Sequence, residues 1–194
     1  MQMLSDLDLI FKVQDGDESA FSELMRRHYR GVVNYIYKFT HSVESSEDLA
    51  QEVFIRVYRS IDRYRPEAKF TTWLYKIATN VSITAVRYSN REKNVSLDEM
   101  EESNQQTGDE KIFSASDFTF RREISALIFE ALETLPEKEK IAIVLCKYEE
   151  MPYIEVAEVI GCSVGAVKAY VYRGRMKLIE KLKPHLKKDK AHGL

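Results

Sequence analysis

The sequence predicts an all-α protein built as two helical domains joined by a flexible acidic linker. Three observations carry this. Apolar residues recur at helical spacing through most of the 194-residue chain, and no segment alternates as a half-buried strand would. The periodicity is lost over residues 91–117, where the polar run NQQTGDE marks a linker between a first domain at 1–90 and a second at 118–194. Residues 152–178, PYIEVAEVIGCSVGAVKAYVYRGRMKL, have the spacing of a helix-turn-helix whose second helix is basic.

The elements follow in order. A short helix is expected over residues 4–14, ended by the turn Asp15-Gly16-Asp17. A second runs over 19–39, with Phe21, Leu24, His28, Val32, Tyr35 and Phe39 along one stripe. Ser45 followed by Asp48 resembles a capping box for a third helix that reaches Ile61, with Leu49, Val53, Phe54, Val57 and Ile61 inward. RYRPEAK, residues 63–69, is a loop marked by Pro66. A fourth helix is expected over 70–88, burying Phe70, Leu74, Ile77, Val81, Ala85 and Tyr88. The second domain begins near Phe118, with Ile124, Leu127, Ile128, Ala131 and Leu135 on one helix. Pro136 opens the next, which turns Ile141, Val144, Leu145 and Tyr148 inward.

Composition excludes several classes. A hydrophobic content of 44% supports packed cores, yet no apolar run approaches the ~18 residues that span a membrane. The N-terminal residues carry early acids and no basic n-region, so direct membrane insertion and a signal peptide are not expected. Cys146 and Cys162 show no metal-ligand spacing and read as small buried hydrophobes of a reduced, cytoplasmic chain. His28, His41, His185 and His192 form no pattern with a nucleophile, and no phosphate-cradling glycine loop occurs. No enzymatic activity, catalytic residue, metal or other cofactor is expected.

Charge is informative through its distribution. The net charge is only −2, but residues 163–194 carry nine Lys or Arg against Glu180 and Asp189, and residues 56–93 carry nine against three acids. Between these basic blocks, residues 92–120 hold eight acids against Lys93 and Lys111. Two basic blocks flanking an acidic linker suit a nucleic-acid binder.

In the helix-turn-helix, Ala157 is small enough for the helices to cross closely. Gly161 can take the positive φ that ends the first helix, and Val167 tucks the second helix back. Ser163 is placed to N-cap the second helix, and Val156 and Ile160 on the first helix with Val164 and Val171 on the second supply the buried side of the motif. Lys168, Tyr172, Arg173, Arg175 and Lys177 form the rest, a surface suited to the major groove. On the third helix, a turn of 100° per residue groups Asp48, Gln51, Glu52, Ile55 and Arg59 on one face: either a solvated face with one stray hydrophobe or a partner surface with an apolar anchor. On the fourth, Lys76, Asn80, Ile83 and Arg87 cluster near Trp73 and Tyr75. Cations beside aromatics suit a single strand, though this helix taken alone fits Trp73 as plain core with solvated cations slightly better.

Taken together, DLAQEVFIRVYRSIDRYRPEAKFTTWLYKIATN and LPEKEKIAIVLCKYEEMPYIEVAEVIGCSVGAVKAYVYRGRMKL resemble regions 2 and 4 of the sigma-70 family of bacterial RNA polymerase specificity subunits. The resemblance is to the short, two-domain extracytoplasmic-function (ECF) branch, and it covers almost the whole chain apart from the linker and the last residues. It implies that Asp48, Gln51, Glu52, Ile55 and Arg59 dock on the clamp helices of the polymerase β′ subunit, with the β flap as a further contact on core. Tyr64, Arg65, Lys69, Trp73, Lys76, Asn80 and Arg87 would hold the promoter −10 element as a captured single strand. Ser163, Lys168, Ala169, Tyr172, Arg173, Arg175 and Lys177 would read the −35 duplex. The linker would thread toward the active-site cleft. An anti-sigma factor is implied as a further partner, and the free protein as a monomer. Ala169 stands where a polar residue is frequent and Lys168 where Arg is frequent, so the first offers only apolar contact and the second no bidentate fork. A purine-rich −35 element with an AAC core is what the family implies. Two other classes remain open from the residues alone: a one-component helix-turn-helix regulator, and a sigma-mimic decoy that binds an anti-sigma factor.

Overall fold

The computed structural model describes residues 4–95 and 126–188, and every regular element among them is helical. The chain divides into two compact units, residues 1–108 and 109–194. The expected start near Phe118, its first inward residue Ile124 and the linker beyond Val95 lie outside the described residues.

The first unit holds α1 (Asp6–Gln14), α2 (Glu18–Thr40), α3 (Val43–Ser60), a 3-10 turn (Ile61–Arg63) and α4 (Phe70–Val95). Each start has a local cause. Ser5 and Asp8 form a reciprocal capping box on α1, and Asp17 caps α2 through the N–H groups of Ser19 and Ala20. The box expected at Ser45 and Asp48 is not the start of α3. Ser42 is the N-cap, its hydroxyl accepting the Ser45 N–H, because His41 has already reversed the chain in a left-handed conformation at φ 55°. α2 packs against α1, α3 and α4, and α3 packs on α4. Leu24, Val32, Tyr35, Ile36, Val53, Val57 and Leu74 are fully buried between them. Each such side chain contributes about 1.5–3 kcal/mol relative to exposure.

α4 departs from expectation in two ways. It continues past Tyr88 through Val95, into the stretch where apolar periodicity fades. Its buried line includes Thr72, Tyr75, Ala78, Thr79 and Ser82, while Tyr88 is 64% exposed. Small and hydroxylated residues allow close packing there. The Thr79 hydroxyl donates to the Tyr75 carbonyl and pairs with the Tyr35 hydroxyl at 2.7 Å, so the polar groups are satisfied. Phe21, His28, Leu49, Ile77 and Ala85 are only half-buried.

The second unit contains α5 (described over residues 126–133), α6 (Glu137–Lys147), α7 (Tyr153–Ile160) and α8 (Val164–Lys188). α6 packs on both α7 and α8, and α7 on α8. Ile141, Val144, Leu145, Val156 and Val167 are buried among them, whereas Tyr148, expected inward, follows the last turn of α6 and is exposed. Gly161 takes φ 71° and its N–H closes α7 on the Ala157 carbonyl at 2.9 Å. Ser163 Oγ accepts the Ala166 N–H at 3.2 Å, so α8 starts where the motif requires. Among the described residues no helix is long and apolar enough to cross a membrane, and no His, Cys, Asp and Glu cluster is placed to hold a metal ion.

Candidate nucleic-acid interfaces

Three surfaces collect the residues singled out from sequence. On α3, Asp48, Gln51 and Arg59 are exposed and Ile55 stands 44% exposed among them. Glu52 joins this face but accepts from Arg56 Nε at 2.7 Å. Arg56 therefore belongs to the surface, although helical position alone did not single it out. Tyr58, also exposed, packs edge-on against Phe21 at 4.9 Å between ring centres.

The second surface is the loop of residues 64–69 with the start of α4. Tyr64 is not an exposed strand contact: it is 7% exposed, and its hydroxyl donates to the Ala68 carbonyl at 2.6 Å. Its ring lies 5.2 Å from Trp73 and 6.4 Å from Phe70. Burial raises the Tyr64 pKa, with a smaller contribution from the nearby Asp6 charge. Tyr64 and the half-buried Trp73 thus hold the shape of the loop. Arg65, Lys69, Lys76, Asn80 and Arg87 are exposed. Lys76, Asn80 and Arg87 share one side of α4, and Arg91 continues that line into the part of the helix beyond expectation.

Sequence reasoning gave α1 no part in this surface, yet it forms one wall. Asp6 and Leu7 line an open cleft of about 500 Å³ with Tyr64, Pro66, Lys69 and Phe70. Gln14 Nε2 donates to the Ile61 carbonyl at 2.7 Å and reaches the Tyr64 carbonyl at 3.4 Å, tying α1 to the loop. Asp6 pairs with His28 Nε2 at 2.7 Å and Arg27 at 3.1 Å, and the His28 ring packs on Phe70 at 5.3 Å. These contacts join residues far apart in the chain, so no periodicity announces them.

The third surface is α8. Lys168 and Arg175 are exposed, Tyr172 is 66% exposed, and Ala169 is half-buried beside them. Ser163 is committed to its cap. Met176 and Ile179 extend the exposed side and were not picked out, because an apolar residue in a helix reads as core until its neighbours are known. Arg173 and Lys177 are exposed but engaged: Arg173 Nε and Lys177 Nζ each donate to the Glu139 carboxylate at 2.9 Å. Burial alone would raise the Glu139 pKa. Hydrogen bonds from Lys177 and Arg173 outweigh it and hold the carboxyl below its ordinary value of 4.5.

An all-helical chain with a capped, basic helix-turn-helix and a second basic surface beside an open cleft is, as a class, a nucleic-acid-binding protein. Comparison with known proteins narrows the class. The profile of Sigma-70 region 2 matches residues 24–92, and that of Sigma-70, region 4 matches residues 125–178. The chain is 30% identical to the ECF RNA polymerase sigma-E factor of Escherichia coli, over 96% of this chain and 99% of that one. It is 31% identical to the RNA polymerase sigma-H factor of Pseudomonas aeruginosa, over 94% and 96%. The same fold occurs in CnrH, solved with the cytosolic domain of CnrY, at a TM-score of 0.67 and 23% identity, covering 91% of this chain and 96% of that one. It also occurs in RpoE from Bartonella quintana, solved with the anti-sigma factor NepR, at 0.65 and 22%, covering 84% and 96%. The chain belongs to the sigma-70 family, in its ECF group, and is a non-enzymatic factor that directs transcription initiation.

Proposed function

We propose that this protein binds bacterial core RNA polymerase through the α3 face, captures the −10 element on the loop and α4, and reads the −35 duplex with α8. Asp48, Gln51, Ile55 and Arg59, with the Glu52–Arg56 pair, dock on core, the exposed Ile55 serving as apolar anchor inside a charged rim. Lys76, Asn80 and Arg87 track the strand on α4, and the cleft between α1 and the loop offers room for an unstacked base. Lys168, Ala169, Tyr172 and Arg175 face the major groove, while Arg173 and Lys177 lie toward the backbone. The first unit, whose α4 runs on to Val95, takes core and the −10 element, and the second takes the −35 element. The protein works in the cytoplasm as a monomer when free, and an anti-sigma factor of the kind solved with relatives of this fold holds it inactive.

The observation that carries this reading is the pairing, in one chain, of both sigma regions with two separate basic surfaces. Opening follows from differential binding: single-strand contacts exist only in the open state and shift the equilibrium by their own free energy. One stacked base offers about 1–3 kcal/mol, comparable to the cost of unpairing it. The test is run-off transcription with purified core on templates randomised at the −35 and −10 positions. Sequence-restricted transcripts that depend on this protein are expected. Core binding without transcripts points to a decoy, and duplex binding without core binding to a one-component regulator.

A further inference from the structure

We infer that Glu139, on α6, is a positioning residue for promoter binding: its buried carboxylate fixes Arg173 so that the guanidinium is presented, already oriented, to a DNA phosphate beside the recognition helix. The inference rests on the proposed reading of α8. The Glu139 side chain is 7% exposed, whereas those of Arg173 and Lys177 are 51% and 44% exposed, so one buried acid holds two cations that reach solvent. The Arg173 bond is made by Nε, at 2.9 Å, and does not need the amino groups at the other end of the guanidinium. The Arg173 guanidinium carbon also lies 5.3 Å from the centre of the Tyr170 ring, a second support. Gly174 keeps α8 close to α6 here: a Cβ there would meet Ile143 Cγ1 at 2.9 Å, one helical turn from Glu139. A long, rotamer-rich side chain ordered before binding loses less freedom on meeting its phosphate.

Removing the carboxylate also removes a negative charge near DNA, which by itself favours binding. Two variants of equal charge separate the effects. Glu139→Gln keeps an oxygen that accepts the Nε–H, and Glu139→Leu does not. Their affinities for a promoter fragment are measured as reconstituted holoenzymes, each with and without Arg173→Ala. The Leu variant is expected to bind about three- to tenfold more weakly than the Gln variant, the loss matching the cost of ordering one long side chain. The difference should vanish in the Arg173→Ala background. Equal affinities overturn the proposal, as does a difference that persists without Arg173. In the free protein, NMR of arginine side chains should show slow exchange of the Arg173 Nε–H in the wild type and Gln variant, and fast exchange in the Leu variant. Fast exchange in the wild type removes the premise. A wild-type holoenzyme without sequence-restricted promoter binding overturns the function itself, and the role of Glu139 with it, while slow Nε–H exchange still reports the anchor.

Discussion

At Gly174 the absent side chain decides how closely α8 lies on α6. A Cβ there would meet Ile143 Cγ1 at 2.9 Å, a branch atom that cannot swing aside as a chain end could. Gly174→Ala therefore sets overpacking of about 1–3 kcal/mol against a helix-propensity gain of about 1 kcal/mol. A net loss of about 1 kcal/mol is expected, read as a lower midpoint in guanidinium denaturation, and a raised midpoint would contradict the close approach. The same residue marks a boundary of legibility. Gly161 and Ser163 are readable because a turn and a cap are local events, decided within four residues. Gly174 looks like a mere weak point in a basic helix until Ile143 and Glu139 are brought against it. Tyr64 misleads for a related reason: a tyrosine beside arginines suggests an exposed ring, yet its hydroxyl finds the Ala68 carbonyl and its ring the Trp73 face.

Among the helices, α6 and α8 are joined by a charge cluster with a definite pH signature. The Glu139 carboxyl is held below 4.5 in the fold, so it contributes stability that is present above the unfolded value and is lost as pH falls toward the folded one. Urea midpoints measured from about pH 6 down to the acid range should fall more steeply for the wild type than for Glu139→Gln, which has no proton to gain. Parallel curves would mean the cluster carries no linkage. α3 makes a different demand. Ile55 is 44% exposed, so Ile55→Asp should leave the melting temperature nearly unchanged while weakening core binding by about 2 kcal/mol or more, as for an interface anchor. Intact affinity in a pull-down against core would remove Ile55 from the interface. The outward face of α3 was legible because a helix period assigns every residue a side. The length of α4 was not, since its last turns carry little apolar pattern, and the α1 wall of the cleft depends on Gln14 reaching the Ile61 carbonyl.

For the molecule as a whole, the proposed function puts its two DNA surfaces on separate compact units, which implies two separable steps. On the proposed reading α8 meets duplex DNA, so Tyr172→Ala, at a side chain 66% exposed, should weaken the closed complex by about 1–3 kcal/mol if the ring meets base edges. On the same reading α4 and the cleft meet a strand that exists only after opening, so Lys76→Ala and Asn80→Ala should leave the closed complex nearly intact and lower the open fraction. Footprinting at low temperature reads the first step, and permanganate reactivity of unpaired thymines reads the second. Because the overall constant is the product of the two, Tyr172→Ala combined with Asn80→Ala should cost the sum of the separate losses within about 0.5 kcal/mol. An α4 variant that weakens the closed complex as much as Tyr172→Ala does would mean that this face already holds duplex DNA. The division of labour between the two units would then have to be redrawn.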